Sequence, residues 1–286
     1  MSDEIIITKE IEGFKVWQKN KNLSNNTISI YENQLRKIFK NKRKLNKDDL
    51  LLAKSKAIEQ CSPKTVNIMV NAINSYIEYY CEKEDNPIYL KLKLKCIKVQ
   101  QKNYLENVIS YQQYLQFIKY LKKNSDNPSC EKLYYIVITL GMTGMRVSEL
   151  VKCNAQAVKM GYFDILGKGG KTRRIYLSKK LQKELEVYIE KYKLDGFLFL
   201  NNNNTKISTR GLAHLLKDYA KKCDIDEKVI YPHSFRHMFA KQFLSKRQDI
   251  ALLSDLLGHN SIETTRIYLR LTSEEQKQIV DEVVTW

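Results

Sequence analysis

Apolar side chains recur every three or four positions along most of this chain, and that spacing predicts a mainly helical protein. Four helices are expected within residues 1–92. The longest begins at Ser62-Pro63, because a capping serine and a proline at the first helical position both favour a helix start. It ends before Asn86-Pro87, since proline disfavours a helical conformation in the residue before it. Residues 1–92 are therefore predicted to form a compact helical domain.

Lysine alternates with apolar residues from Lys91 to Val99. This alternation is compatible with an edge strand. The stretch is also short, basic and without helix caps, and these features favour an extended linker over residues 93–104. We expect the linker to lie along a nucleic-acid backbone.

Residues 105–286 are predicted to form a second, larger domain. Most of it has helical spacing, including a strongly apolar segment from Tyr134 to Leu140. Residues 160–166 and 172–177 are predicted as strands, joined by a glycine-rich hairpin turn between them. The predicted fold is therefore mainly α with a small antiparallel β-sheet in the C-terminal domain, and a tail helix over residues 274–286 completes it.

The net charge of the chain indicates what kind of partner it binds. The chain has 49 Lys+Arg against 32 Asp+Glu, a formal net charge of +17. Residues 1–105 carry 20 basic and 12 acidic side chains and the rest carry 29 and 20, so both domains are basic. Such a balance favours a polyanionic partner. We expect the two domains to grip nucleic acid from two sides, with a merely solubilising basic surface as the alternative.

Membrane and metal partners are not expected. No segment is long and apolar enough to span a bilayer, and the first residues lack the features of a signal peptide. We therefore predict a cytoplasmic protein. The six cysteines are scattered, with no Cys-x-x-Cys pair and no histidine at metal-ligand spacing, so free thiols and no metal site are predicted.

The second domain contains a candidate site for phosphoryl transfer. Its residues are Arg146, Lys171, His233, Arg236, His259 and Tyr268. Arginine forks bind non-bridging phosphate oxygens and neutralise charge in the transition state. A tyrosine has a free pKa of about 10, so it needs basic neighbours or a general base before it attacks. A lysine on a glycine-rich hairpin can supply the acid that protonates the leaving oxygen.

Taken one at a time, these residues have ordinary structural explanations. Arg146 can pair with Glu149 three positions later. A His-x-x-Arg pattern is frequent, and Gly258-His259 alone is a common C-cap turn. The loop Gly167-Lys-Gly-Gly-Lys171 lacks the spacing of a Walker motif, so no nucleotide cofactor is expected.

Together and in this order, the motifs resemble those of the tyrosine recombinase family, which includes the phage integrases and the Xer proteins. The matching stretches are Thr143-Gly-Met-Arg146-Val-Ser-Glu-Leu150, Gly167-Lys-Gly-Gly-Lys171-Thr-Arg, His233-Ser-Phe-Arg236-His237, Leu256-Leu-Gly-His259 and Thr264-Thr-Arg-Ile-Tyr268. The resemblance covers the second domain end to end, and the first domain resembles the family's core-binding domain more weakly. Phe235 stands where the family commonly has leucine, and we expect it to pack rather than react.

The resemblance implies a two-domain, DNA-clamping enzyme that recombines DNA at specific sites. Tyr268 would attack a scissile phosphate and leave a 3′-phosphotyrosyl link and a free 5′-hydroxyl. Arg146 and Arg236 would hold the phosphate and stabilise the transition state. Lys171 would protonate the departing 5′ oxygen.

The resemblance also implies roles for two histidines and for an assembly. His233 would assist proton transfer, and His259 would hydrogen-bond the phosphate. Because the phosphotyrosine stores the bond energy, neither a metal nor ATP is needed. Rejoining to a partner strand would pass through a Holliday junction in a tetramer on two DNA sites.

Several alternatives stay open at this point. A type IB topoisomerase-like enzyme would share the chemistry, and a DNA-binding regulator would have a silent site. Within the recombinases, the sequence does not separate a resolvase from an inversion switch or the enzyme of a mobile element. We further expect that without DNA the hydroxyl of Tyr268 lies away from Arg146 and Arg236.

The C-terminal tail has a charge opposite to that of the whole chain. From residue 274 to 286 it holds four acidic side chains and one lysine, beside an apolar stripe. Such a helix is attracted to a basic neighbour. We expect it to dock on an adjacent protomer, with docking on its own catalytic domain as the alternative.

Overall fold

The chain divides into two compact units, Met1–Lys102 and Asn103–Trp286. The computed structural model describes residues 5–6, 11–39, 44–99, 107–166, 172–201, 203–259, 261–269, 277 and 280–286. Over these ranges the chain is mainly helical with a small antiparallel pair of strands in the second unit, which confirms the predicted fold class. None of the helices described has both the length and the apolar character needed to cross a membrane.

The first unit contains the four predicted helices. Its elements are β1 (Ile5–Ile6), α1 (Ile11–Asn20), α2 (Asn25–Phe39), β2 (Lys44–Leu45), α3 (Lys47–Gln60), α4 (Pro63–Lys83) and a 3-10 helix (Pro87–Leu92). As predicted, Ser62 caps α4, and its hydroxyl accepts a hydrogen bond from the Thr65 N–H at 3.3 Å. Phe14 and Leu35 are fully buried in the core that α4 forms with α1 and α2. The antiparallel pair of β1 and β2 was not predicted, because two residues are too few to show a strand pattern.

The stretch after the 3-10 helix is attached to α3 and α4. The side-chain amide of Asn74 donates to the carbonyl of Leu94 at 2.9 Å and accepts from its N–H at 2.8 Å. Asn67 forms the same pair of bonds with Ile97, at 2.9 and 2.8 Å. Lys47 adds bonds from its ammonium group to two more main-chain carbonyls. The described part of the predicted linker is therefore held against the first unit, and it contains no strand.

The second unit is built around a buried helix. Its elements are α5 (Tyr111–Lys123), α6 (Pro128–Thr143), α7 (Val147–Leu150), α8 (Ala155–Met160), β3 (Tyr162–Leu166), β4 (Thr172–Tyr176), α9 (Lys179–Tyr192), α10 (Thr209–Lys222), α11 (Pro232–Lys246), α12 (Ile250–Leu257), α13 (Glu263–Arg266) and a 3-10 turn (Ile267–Leu269). Helix α6 includes the strongly apolar segment from Tyr134 to Leu140, which is buried, and it packs against α5 and α11. Strands β3 and β4 pair antiparallel, from Tyr162 opposite Tyr176 to Leu166 opposite Thr172. The predicted hairpin turn, including Lys171, and most of the predicted tail helix lie outside the described residues.

Two glycine turns directly precede segments that carry candidate site residues. Gly144 follows α6 with φ +61°, and Gly258 follows α12 with φ +62°. Glycine is favoured at such left-handed positions because it has no Cβ, and here an added Cβ would also collide with Phe239 at Gly144 and with Arg173 at Gly258. Arg146 comes two residues after the first turn. It is the N-cap residue of α7, directly before the first helical turn.

Candidate active site

The structure describes five of the six predicted site residues, and it brings them together from four segments of the second unit. Arg146 precedes α7, His233 and Arg236 lie on α11, His259 follows α12, and Tyr268 lies in the 3-10 turn. Lys171 lies outside the described residues, so its place in the site stays a prediction.

Three arginines converge on the C-terminal end of α12. Their side chains donate to three consecutive main-chain carbonyls: Arg173 to Leu256 (3.0 Å), Arg236 to Leu257 (2.6 Å) and Arg146 to Gly258 (2.9 Å). The last carbonyls of a helix have no partner within it and carry the negative end of its dipole. The guanidinium groups satisfy these carbonyls, and this requirement places Arg146 beside Arg236.

A buried carboxylate fixes two of these arginines. Glu149 accepts from the Arg146 guanidinium at 2.9 Å and from the Arg146 main-chain N–H at 2.7 Å. It also accepts two bonds from Nη1 of Arg173, at 2.8 and 3.0 Å. The pairing of Arg146 with Glu149 that the sequence allowed as a structural explanation is therefore present. It holds the arginine at the site, so it does not argue against a functional role.

Arg236 is almost completely buried, with 2% of its surface exposed. Besides the bond to α12, its Nη1 donates to the carbonyl of Gly144 at 2.9 Å. Burial is the main cause that lowers the pKa of Arg236 to about 10, and the charges of Arg146 and Arg173 add to it. The side chain is still charged at neutral pH. A guanidinium has more N–H donors than these bonds use, so donors remain for an anionic ligand.

The two predicted histidines are neutral at pH 7. Burial, followed by the charge of Arg236, lowers the pKa of His259 to about 4. Its Nδ1 lies 2.7 Å from the hydroxyl oxygen of Thr265, which is fully buried. His233 lies at the exposed edge of the site, yet the protein around its ring removes enough water to lower its pKa, and Arg236 and Arg146 lower it further.

Tyr268 lies in an apolar cluster with its hydroxyl bonded to a histidine. The cluster consists of Ala240, Leu244, Leu253, Leu257 and Tyr268. The hydroxyl oxygen is 2.8 Å from Nδ1 of His237. Burial raises the pKa of Tyr268 to about 12, and the charge of Arg236 acts in the opposite direction. Within the described residues this hydroxyl has no hydrogen bond to Arg146 or Arg236; its movement on DNA stays a prediction.

Arg173 and His237 contact the site residues but are not among the six predicted from the sequence. Arg173 lies on the same face of β4 as the buried Ile175, between exposed neighbours, and a charged residue on the buried face of a strand is the signal that indicates it. His237 is one helical turn after His233 on α11, in a motif already recognised. Its contact with Tyr268 depends on the tertiary fold, which sequence spacing does not reveal.

The remaining residues of the α11 motif have structural roles. Phe235 is fully buried and packs edge-on against the ring of Tyr114, with 6.3 Å between centroids, which confirms that this position packs. The hydroxyl of Ser234 accepts a bond from the main-chain N–H of Ile109 at 2.7 Å. All six cysteines are free thiols, as predicted.

The arrangement suits the chemistry of an anionic ester. Two fixed guanidinium groups attract an oxyanion, two neutral histidines can donate or accept a hydrogen bond, and one tyrosine hydroxyl is available as a nucleophile. Among the side chains that the structure describes, no three or more His, Cys, Asp or Glu residues are grouped so as to hold a metal ion.

Comparison with known sequences places this arrangement in context. The model of the phage integrase family matches residues 107–275. The tyrosine recombinase XerA of Pyrococcus furiosus is 28% identical over 290 residues, which covers 98% of this chain and 96% of that protein. The tyrosine recombinase XerC of Leptospira interrogans is 34% identical over 171 residues, or 57% of this chain and 54% of that relative. The chain thus spans about half the length of the XerC relative in that match.

Solved structures share the fold at low sequence identity. The XerH site-specific recombinase bound to palindromic difH substrate, in a post-cleavage complex, has a TM-score of 0.70 and 21% identity, over 95% of this chain and 83% of that one. A lambda integrase dimer bound to a COC′ core site has a TM-score of 0.71 and 12% identity, over 93% and 78%. These likenesses concern the fold.

Proposed function

The chain belongs to the phage integrase family of tyrosine recombinases, and from that premise we propose that it is a site-specific recombinase that cuts and rejoins duplex DNA. The observation that carries the proposal is the convergence of Arg146, Arg236, His259 and Tyr268 around the end of α12. The high positive charge of both units supports DNA as the partner. Such a substrate implies action in the cytoplasm.

In the proposed cleavage step, Tyr268 attacks the phosphorus of the scissile phosphodiester, and its hydroxyl proton passes through His233 to solvent. Arg146 and Arg236 bind the non-bridging oxygens and neutralise the charge that develops on them. The bond from phosphorus to the 5′ oxygen breaks, and that oxygen takes a proton from Lys171. The products are a 3′-phosphotyrosyl link and a free 5′-hydroxyl.

The two predicted histidines assist this step in the proposal. His259 is neutral and held by Thr265, so it can donate a hydrogen bond to a phosphate oxygen from its other ring nitrogen. His233 lies at the exposed edge of the site, where it can exchange protons with solvent and with the reacting groups.

Strand exchange follows when the 5′-hydroxyl of another strand attacks the phosphotyrosine. The energy of the broken phosphodiester is conserved in the covalent link, so the reaction as proposed needs neither ATP nor a metal ion. Two such exchanges between two DNA sites pass through a Holliday junction, and we propose a tetramer of this chain on those sites.

The C-terminal tail supports the proposed assembly. Its described apolar side chains are exposed, namely Val280, Val283, Val284 and Trp286, the last with 92% of its surface accessible. A large part of each side chain is therefore open to solvent in the single chain. We propose that the tail docks on an adjacent protomer. Deletion of residues 274–286 should abolish assembly on DNA and recombination, and unchanged assembly and recombination would contradict the docking.

The first experiment identifies the DNA and separates the rival functions. Genomic fragments that the protein binds and cleaves are sequenced, and two copies of the selected site are placed on one plasmid. A recombinase exchanges strands between the two sites and yields inversion or deletion products. Relaxation of any supercoiled plasmid without exchange would favour the topoisomerase-like alternative. Binding without any cleavage would favour a regulator with a silent site.

A further inference from the structure

The histidine that contacts Tyr268 is not one of the six residues that the family motifs point to. His237 lies on α11, directly after Arg236 and one turn after His233. Its Nδ1 is 2.8 Å from the hydroxyl oxygen of Tyr268, and the two ring centroids are 5.5 Å apart. The proposed reaction does not use this histidine.

Tyr268 is buried among apolar side chains, so the hydrogen bond with His237 determines where its hydroxyl points. The side chain is 8% exposed and its neighbours in the cluster are apolar. A buried hydroxyl without a hydrogen-bond partner is costly, so the tyrosine is held where its hydroxyl meets a partner. Within the described residues, the hydroxyl of Tyr268 forms its hydrogen bond with Nδ1 of His237.

The charges around His237 keep its ring neutral. On its own helix it faces His233, Arg236 and Lys241, and from the other side it faces Tyr268 and His259. Burial is the main cause that lowers the pKa of His237 to about 4, and His233, Arg236 and Lys241 lower it further. A neutral imidazole with its proton on Nε2 has a lone pair on Nδ1, so it can accept a hydrogen bond from the tyrosine hydroxyl.

We propose that His237 is a positioning residue that orients the nucleophile: it accepts the hydrogen bond from Tyr268 and so fixes the hydroxyl with its lone pairs free for attack on phosphorus. The proton points at Nδ1, and the oxygen lone pairs point away from the imidazole ring. The ring is too weakly basic in the resting site to keep the proton, so its contribution is alignment. This inference rests on the proposed function, which makes Tyr268 the nucleophile.

Two substitutions at His237 separate alignment from packing and from proton transfer. His237→Phe keeps a ring in the pocket but removes the acceptor. His237→Asn keeps an acceptor, because Oδ1 of asparagine lies near the place of Nδ1, and it removes the titratable group. His214→Phe is the matched control, since His214 is exposed on α10.

The kinetic test measures formation of the covalent adduct in a single turnover on a nicked form of the selected DNA. We expect His237→Phe to slow the adduct about 100-fold, as for a nucleophile that has lost its alignment. His237→Asn should recover most of the rate, and His214→Phe should match the wild type. DNA binding and urea unfolding of each variant show that it is folded. A His237→Phe variant as fast as the wild type or faster overturns the proposal, as does a His237→Asn variant as slow as His237→Phe.

A spectroscopic test is independent of catalysis. The chain has four histidines, so ¹⁵N spectra of histidine-labelled protein can resolve each ring. We expect His237 to be the Nε2–H tautomer at pH 7, with an Nδ1 signal that moves in Tyr268→Phe. An Nδ1 signal that is unchanged in Tyr268→Phe overturns the hydrogen bond. A wild type that makes no adduct on its selected DNA refutes the proposed function instead, and the histidine spectrum still decides whether His237 holds Tyr268.

Discussion

The carboxylate of Glu149 holds Arg146 through two hydrogen bonds, one to its guanidinium group at 2.9 Å and one to its main-chain N–H at 2.7 Å. The same carboxylate binds Arg173, and both arginines reach the end of α12. One buried acidic residue therefore connects α7, β4 and α12. Since an arginine side chain has many rotamers, this connection restricts Arg146 to the position in which it can bind an oxyanion.

Replacement of this carboxylate should affect both catalysis and stability. Glu149→Gln leaves the two arginines near an uncharged amide in a buried site, and we expect a loss of about 2–4 kcal/mol in the free energy of unfolding. Adduct formation should slow by about 10- to 100-fold, because Arg146 loses its fixed position. Urea unfolding and single-turnover cleavage measure the two effects. The control is Glu263→Gln, since Glu263 pairs with Arg266 in solvent and should contribute less than about 1 kcal/mol. Equal effects of the two substitutions would contradict the account.

The turn after α12 should not tolerate a side chain. Gly258→Ala places a Cβ at φ +62° and against Arg173, so the turn or the arginine must move. We expect a loss of about 1–3 kcal/mol in unfolding free energy and slower cleavage, since the carbonyl of Gly258 also receives Arg146. Gly196→Ala is the matched control, because nothing lies within 4 Å of its added Cβ. A Gly258→Ala variant as stable and as active as Gly196→Ala would show that the turn does not position the site.

The asparagines of α4 should determine how firmly the stretch after the 3-10 helix is attached. Asn74→Ala removes two hydrogen bonds to Leu94 and leaves main-chain groups without that partner, at a cost of about 1–3 kcal/mol. Limited proteolysis within residues 93–99 should become faster. Asn71→Ala is the control on the same helix, because Asn71 is exposed and its described bond is a 3.5 Å contact from the thiol of Cys96. Equal proteolysis of the two variants would contradict the attachment.

Acid should weaken the fold through the buried histidines. The pKa values of His237 and His259 are lowered to about 4 in the folded chain, below the value of about 6.5 for an unfolded histidine. Between these values the unfolded chain binds more protons, so the free energy of unfolding should fall as pH drops from about 6.5 to about 4. The urea midpoint measured at pH 7.0 and 5.0 tests this. The double variant His237→Asn/His259→Asn should lose less stability over that interval than the wild type, and an equal loss would contradict these shifts.

Lys171 can be tested by the chemistry of the leaving group. Lys171→Ala should slow cleavage by about 10²- to 10⁴-fold, the usual contribution of a general acid. A substrate with sulfur in place of the 5′ bridging oxygen needs little protonation when it leaves. It should restore most of the rate in Lys171→Ala and change the wild type little. If Lys171→Ala also cleaves the substrate with sulfur slowly, Lys171 is not the acid that protonates the leaving oxygen.

The local features of the fold follow from the sequence. Ser62-Pro63 starts α4, and the apolar spacing gives the helices. Such features are local, because a cap or a turn depends on a few neighbouring residues. The two-residue strands β1 and β2 were missed because their pairing joins residues about forty positions apart and leaves no periodic pattern.

For the site, the sequence indicated the residue types but only part of the geometry. Arg146, Arg236 and Tyr268 were found from motifs. Of the contacts that hold them, the sequence indicated the pairing of Arg146 with Glu149 but not the long-range ones. Arg173 donates to Leu256, 83 positions away, and His237 meets Tyr268 across 31 positions. Such partners come together only through tertiary packing, which periodicity and local spacing do not encode.

The central claim is that Tyr268 is the nucleophile of a DNA-cleaving site, and the most direct measurement is the covalent adduct formed on a nicked suicide substrate of the selected DNA. The wild type should accumulate a protein–DNA adduct in which a peptide containing Tyr268 carries a 3′-phosphate linkage. Tyr268→Phe, which keeps the ring and the packing of the cluster, should bind the same DNA and form no adduct. An adduct that persists in Tyr268→Phe, or that maps to another residue in the wild type, would contradict the account.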